Sequence, residues 1–86
     1  MTTEPLMQIA LETIEFFSCV PDSLLDPDVA VERLESISAL LQQLPEADRT
    51  RFLGYVHRQS AEEFAARGRT ERHDFLSRLG VDVGLE

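Results

Sequence analysis

The densest chemistry-bearing group in this chain is Asp26, Asp28 and Glu32, within the stretch LLDPDVAVE. Three acids so close together suit a divalent cation, acid–base catalysis or the start of a helix. A calcium loop of the EF-hand type needs acids at alternate positions, a glycine at its sixth place and a more distant glutamate. Here Pro27 separates Asp26 from Asp28, no glycine follows, and Glu32 falls too early. A helix start accounts for the pattern. Asp26 would accept from free backbone N–H groups, and Pro27 would take the first helical position. Asp28 would then lie near the positive end of the helix dipole.

The other candidates are weaker. Carboxylate-bridged metal bundles need inward glutamates and Glu-x-x-His pairs. Glu12/Glu15, Glu32/Glu35 and Glu62/Glu63 are expected on solvated faces, and neither His57 nor His73 stands three residues after a glutamate. There is no GxSxG and no P-loop around these histidines. Cys19 is the only cysteine, with no basic neighbour to activate it, so an accessible but inert thiol is expected. The run ARGRTERH gathers Arg67, Arg69 and Arg72, a combination able to hold phosphate next to a helix start. Pairing with Glu63, Glu71 or Asp74 is the preferred reading. On the back of the third helix Ala47, Gly54 and Ala61 recur every seven residues. That small-residue line would permit close approach of another helix, at a cost of about 1 kcal/mol for a mid-helix glycine. No catalytic, cofactor-binding or metal-binding residue is assigned.

Composition narrows the class. Eighty-six residues with 43% apolar content suit a single domain spanning 1–86, near the lower size at which a chain folds alone. No apolar run approaches a bilayer span, and MTTEPLMQ lacks the basic start of a secretory signal, so a cytoplasmic protein is expected. Every basic residue is arginine, and the net charge is −8. Residues 1–45 hold eight acids against Arg33 alone, a net of −7, whereas residues 46–86 balance eight acids with seven arginines. Such a field disfavours nucleic acid and anionic membranes and favours basic proteins.

The elements that would position these residues are helical throughout. A first helix over 4–19, opened by Thr2 or Thr3 with Pro5 in its first turn, would place Leu6, Ile9, Ala10, Thr13, Ile14, Phe17 and Val20 on one face. Phe16 and Leu11 widen that face. A second helix over 27–44 carries Ala30, Leu34, Ile37, Leu41 and Leu44 at bundle spacing, widened by Val29, Val31 and Leu40, and should be the most buried. Pro45 opens a third over 46–67 with Phe52, Leu53, Val56, Ser60 and Phe64 inward, closed by Gly68 as a left-handed cap. Thr70 caps a short fourth over 71–79, stopped by Gly80, after which Val81, Val83 and Leu85 pack back. Short connections predict an all-α, antiparallel four-helix bundle with a short fourth helix.

The stretch LDPDVAVERLESISALLQQLP, with FLGYV and FLSRLGVDVGLE further on, resembles small acidic helical proteins of unassigned function from pseudomonads and related bacteria. The resemblance covers most of the chain through packing and capping positions, and carries over no catalytic or binding residue. It implies a compact four-helix protein without an enzyme's active site. The functional expectation is a small, non-enzymatic protein-binding module, either a homodimeric regulator or a neutralising protein of the immunity or antitoxin kind. Its acidic face would be Glu12, Glu15, Glu32 and Glu35, and self-association would run through Leu11, Phe16, Val29, Leu40 and Gly54. The alternative is a small-ligand carrier or enzyme using the bundle interior, disfavoured by the scarcity of inward polar groups.

Overall fold

Local signals at the helix ends account for most of the secondary structure in the computed structural model, which describes residues 3–86. The chain is all-α: α1 (Glu4–Cys19), α2 (Pro27–Gln42), α3 (Glu46–Arg67) and α4 (Glu71–Asp82), with no strand among the described residues. Thr2 lies outside the described residues; Thr3 stands at the N-cap position of α1 but makes no side-chain hydrogen bond to the helix. At α2 the expected cap forms, since Asp26 Oδ1 accepts from Asp28 N at 2.8 Å and Asp26 O accepts from Ala30 N at 3.1 Å. At α4 the Thr70 hydroxyl accepts from His73 N at 3.0 Å. The connection from α1 to α2 turns on Pro21, whose carbonyl accepts from Leu24 N and Leu25 N.

The chain divides into two compact units, Met1–Leu40 and Leu41–Glu86, within the stretch read as one domain. The charge divides at the same place: the first unit holds eight acids and one arginine, the second eight acids and seven arginines. In the second unit α3 packs against α4. Its core contains Phe52, Tyr55, Val56, Leu76, Leu79 and Val83. Gln42 Nε2 also donates to Val83 O at 3.0 Å.

Several expectations about burial are corrected. α2 is not the most buried helix: only Ala30 and Leu41 are buried there and Val29, Val31 and Leu40 are exposed, whereas α3 buries Phe52, Tyr55, Val56, Ser60 and Glu63 and the shorter α4 buries Leu76, Leu79 and Gly80. In α1 the buried pair is Leu11 and Ile14, while Leu6, Ile9 and Phe16 face outward. The buried face is turned by roughly a quarter of the circumference from the expected one, at 100° per residue. Phe64, expected inside, is exposed, and Val81 does not pack back.

Gly80 does not stop α4. It is buried inside the helix, which ends two residues later. The terminator is Gly84, with φ 77°. Leu85 N donates to Gly80 O at 2.9 Å and Gly84 N to Val81 O at 3.0 Å. This pair of bonds is the Schellman arrangement, which needs a residue free to take positive φ at that point. Gly68 likewise has φ 75°, but its ψ of −151° puts it in the extended, glycine-only region rather than the left-handed helical one.

Candidate functional site

The acidic residues expected to meet a partner do not all come together. Glu12 and Glu15 line a surface depression of about 380 Å³ at the C-terminal end of α1, with Phe16, Cys19, Val20, Pro21 and Leu24. Glu32 and Glu35 are exposed on α2 outside it, and Glu32 stands 3.9 Å from the Arg33 guanidinium.

The local sequence explains the shape of this depression. Val20 leaves the helix with φ −64° and ψ 132°, the extended conformation that a residue before proline prefers. Pro21 then starts the turn that leaves Leu24 77% exposed. Phe16 is 57% exposed, yet its ring is held edge-on against Phe17 with centroids 5.2 Å apart. Such a pair contributes about 0.5–1.5 kcal/mol beyond area burial. Gln8 Nε2 donates to Glu12 Oε1 at 3.1 Å.

Electrostatics favour a cation here. The last turn of α1 has no basic residue, and its terminal carbonyls add the negative end of a helix dipole to Glu12 and Glu15. A positive group could be received beside the apolar surface of Phe16 and Leu24. Cys19 is exposed on the same surface, as expected.

The self-association set is split. Phe16, Val29 and Leu40 are exposed, but Leu11 is 2% exposed and cannot contribute a contact surface, which corrects that assignment. A Cβ added at Gly54 would meet nothing within 4 Å, so no backbone among the described residues uses its smallness.

The arginine cluster pairs with local acids, and one of these was misplaced. Glu63 is buried at 5% exposure, not on a solvated face. Its carboxylate accepts from Thr70 Oγ1 at 2.9 Å, Arg67 Nη1 at 2.9 Å and Arg72 Nη1 at 3.4 Å. The Thr70 hydrogen bond, with the two guanidinium groups, holds the carboxyl below its ordinary pKa against the opposing effect of burial. The signal was legible: Phe52, Val56, Gln59 and Glu63 run at 4, 3, 4 spacing down the inward stripe.

The histidines occupy different settings. His57 Nε2 lies 2.5 Å from Glu86 Oε1 near the chain end. His73 lies beside Ser77 and Asp74, at 3.5 Å from Ser77 Oγ and 3.7 Å from Asp74 Oδ1. These three do not form a nucleophilic triad, because Ser77 Oγ directs its proton to His73 O at 2.8 Å and not to the imidazole. Among the described residues no group of three or more His, Cys, Asp or Glu side chains is placed to hold a metal ion. No described helix is long and apolar enough to cross a membrane. No protein-family model, curated protein or solved structure matches this chain.

Proposed function

We propose that this chain is a small, cytoplasmic, non-enzymatic binding module of bacterial type whose first unit receives a basic, amphipathic segment of another protein. The observation that carries this reading is a coincidence of apolar exposure and charge. Seven of the ten large apolar side chains left exposed among the described residues lie in Met1–Leu40: Leu6, Ile9, Phe16, Leu24, Val29, Val31 and Leu40. The same unit holds eight acids and a single arginine. Apolar surface rimmed by charge of one sign is characteristic of a docking face, and complementary charge on the partner would speed encounter. The depression at the end of α1 brings two of these apolar side chains, Phe16 and Leu24, beside two of the acids, Glu12 and Glu15.

A different partner is favoured over a second copy of the chain. A symmetric dimer through this face would set two strongly negative units against each other, which costs energy.

The test begins with co-purification from the source organism and identification of the partner by mass spectrometry. Purified partner is then titrated with the wild-type chain, the Phe16→Ser/Leu24→Ser variant and the Glu12→Arg/Glu15→Arg variant, each checked for retained helicity. Each pair should weaken binding by about tenfold or more, since central aromatic anchors commonly contribute 2 kcal/mol or above. A partner that binds both variants as tightly as wild type would overturn the reading.

A further inference from the structure

The second unit has a cleft of its own, of about 500 Å³, lined by Phe64, Arg69, His73, Asp74, Ser77 and Arg78. It lies apart from the acidic surface in sequence, and its chemistry is opposite. Two guanidinium groups and one carboxylate edge it, a local positive excess on a chain of net −8.

The acid accounts for only part of this basic character. Asp74 Oδ1 accepts from Arg69 Nε at 3.2 Å. Arg78 donates through Nε to the Asp74 backbone carbonyl at 3.3 Å, which orients the guanidinium without neutralising it. Its two terminal nitrogens donate no hydrogen bond to a described residue, and they form a planar fork suited to two oxygens of one anion.

The remaining wall is aromatic. Phe64 is 55% exposed, and its ring lies 5.2 Å from that of His73 at 48°. An exposed phenyl group beside an imidazole offers a face on which a flat ring can stack. The floor is polar: Ser77 Oγ lies 3.1 Å from Ser60 Oγ and 3.5 Å from His73 Nε2. Since the Ser77 proton is committed to His73 O, Ser60 is left as the donor between the two hydroxyls. A concave site with an apolar wall and a few placed polar groups is the usual form of a small-molecule site.

The geometry points to a binding site for a small aromatic oxyanion, a carboxylate or phosphate monoester on a single ring. The ring stacks against Phe64 and His73, and the anion sits on the Arg78 fork. Arg69 supplies a second, partly neutralised positive charge. Inorganic phosphate meets only half of these features, and so does an uncharged ring.

Titration of the isotopically labelled full chain, followed by amide NMR, tests this with four probes: benzoate, phenyl phosphate, inorganic phosphate and benzyl alcohol. At least one aromatic anion should give saturable shifts confined to Phe64 and the Arg69–Arg78 segment. The tighter of benzoate and phenyl phosphate identifies the oxyanion. Arg78→Gln should weaken that probe roughly tenfold through loss of charge-assisted hydrogen bonds. Arg78→Lys should fall between, keeping charge without the fork. Phe64→Ala should also weaken it, by several-fold. Four results would each overturn the proposal: linear shifts spread over other arginines, no response to either aromatic anion, inorganic phosphate binding as well as phenyl phosphate, or unchanged affinity in the folded Arg78→Gln variant.

Discussion

Thr70 Oγ1 donates to Glu63 Oε2 at 2.9 Å and accepts from His73 N at 3.0 Å, so one hydroxyl ties the C-terminal part of α3 to the first turn of α4. The hydroxyl serves both as the helix cap and as a ligand for a buried carboxylate. Thr70→Ala should therefore cost about 0.5–2 kcal/mol for the cap, with the upper end favoured by the partner left behind on Glu63. Thr70→Ser should recover most of the loss. Urea unfolding of the three proteins at neutral pH measures both effects.

Acid should weaken the same junction. The Glu63 carboxyl titrates below its ordinary value in the folded chain. Its contribution to stability is thus complete above the unfolded pKa of about 4.3 and is lost as pH falls through the lower folded value. Glu63→Gln should lower the unfolding midpoint at pH 7 and flatten its fall as the pH drops below the ordinary carboxylate range. If the variant's midpoint falls as steeply as the wild type's, another acid is responsible.

Gly68 and Gly84 hold conformations that other residues resist. Gly68→Ala should cost about 1–3 kcal/mol, although open space surrounds the position. At Gly84 a Cβ would also lie 2.6 Å from Gln42 Nε2, which donates to Val83 O. Gly84→Ala should therefore free the C-terminal turn from the end of α2, seen as faster amide exchange at Leu85 and Glu86. Unchanged exchange there would show that the turn does not depend on glycine.

Core and surface leucines should separate cleanly. Leu76 is fully buried, and Leu76→Ala should cost about 2–5 kcal/mol through transfer loss and a cavity. Leu41→Ala should also be costly, since Leu41 is buried at the end of α2. Leu24→Ala, in an exposed turn, should stay within about 0.5 kcal/mol. Thermal unfolding of the three variants ranks them, and a large cost at Leu24 would show that it packs within the chain rather than waiting for a partner.

Charge on the first unit should act on encounter rate. Glu12→Arg/Glu15→Arg should slow association with a basic partner more than Glu32→Arg/Glu35→Arg, because only the first pair lines the depression. Rising salt should reduce the difference. Stopped-flow association at two ionic strengths measures it. Association at the wild-type rate in both variants, with no dependence on salt, would make the acidity a property of solubility. Sedimentation of the chain alone should give a monomer through the micromolar range; a dimer that Phe16→Ser dissolves would turn the same face toward self-association.

The starts of helices were readable because the groups that set them lie within a few residues of one another, whereas α2 ends at Gln42 rather than Leu44. Asp26 and Pro27 open α2, Pro45 precedes α3, and Thr70 caps α4, each through local bonds or missing donors. Charge segregation was equally plain from residue types. Which face of each helix is buried was not, because the apolar arc of α1 is wide enough to allow several orientations and only packing chose Leu11 and Ile14 over Leu6 and Ile9. The same non-local choice buried Glu63 and exposed Phe64, one position apart on α3. It also carried α4 through Gly80 to Gly84. A helix ends where its last carbonyls find donors, and here those donors are supplied by the turn at Gly84 and Leu85. The depression at Phe16 and Leu24 and the cleft at Phe64 and Arg78 both join residues whose neighbourhood depends on how the chain turns, which periodicity along one helix does not encode.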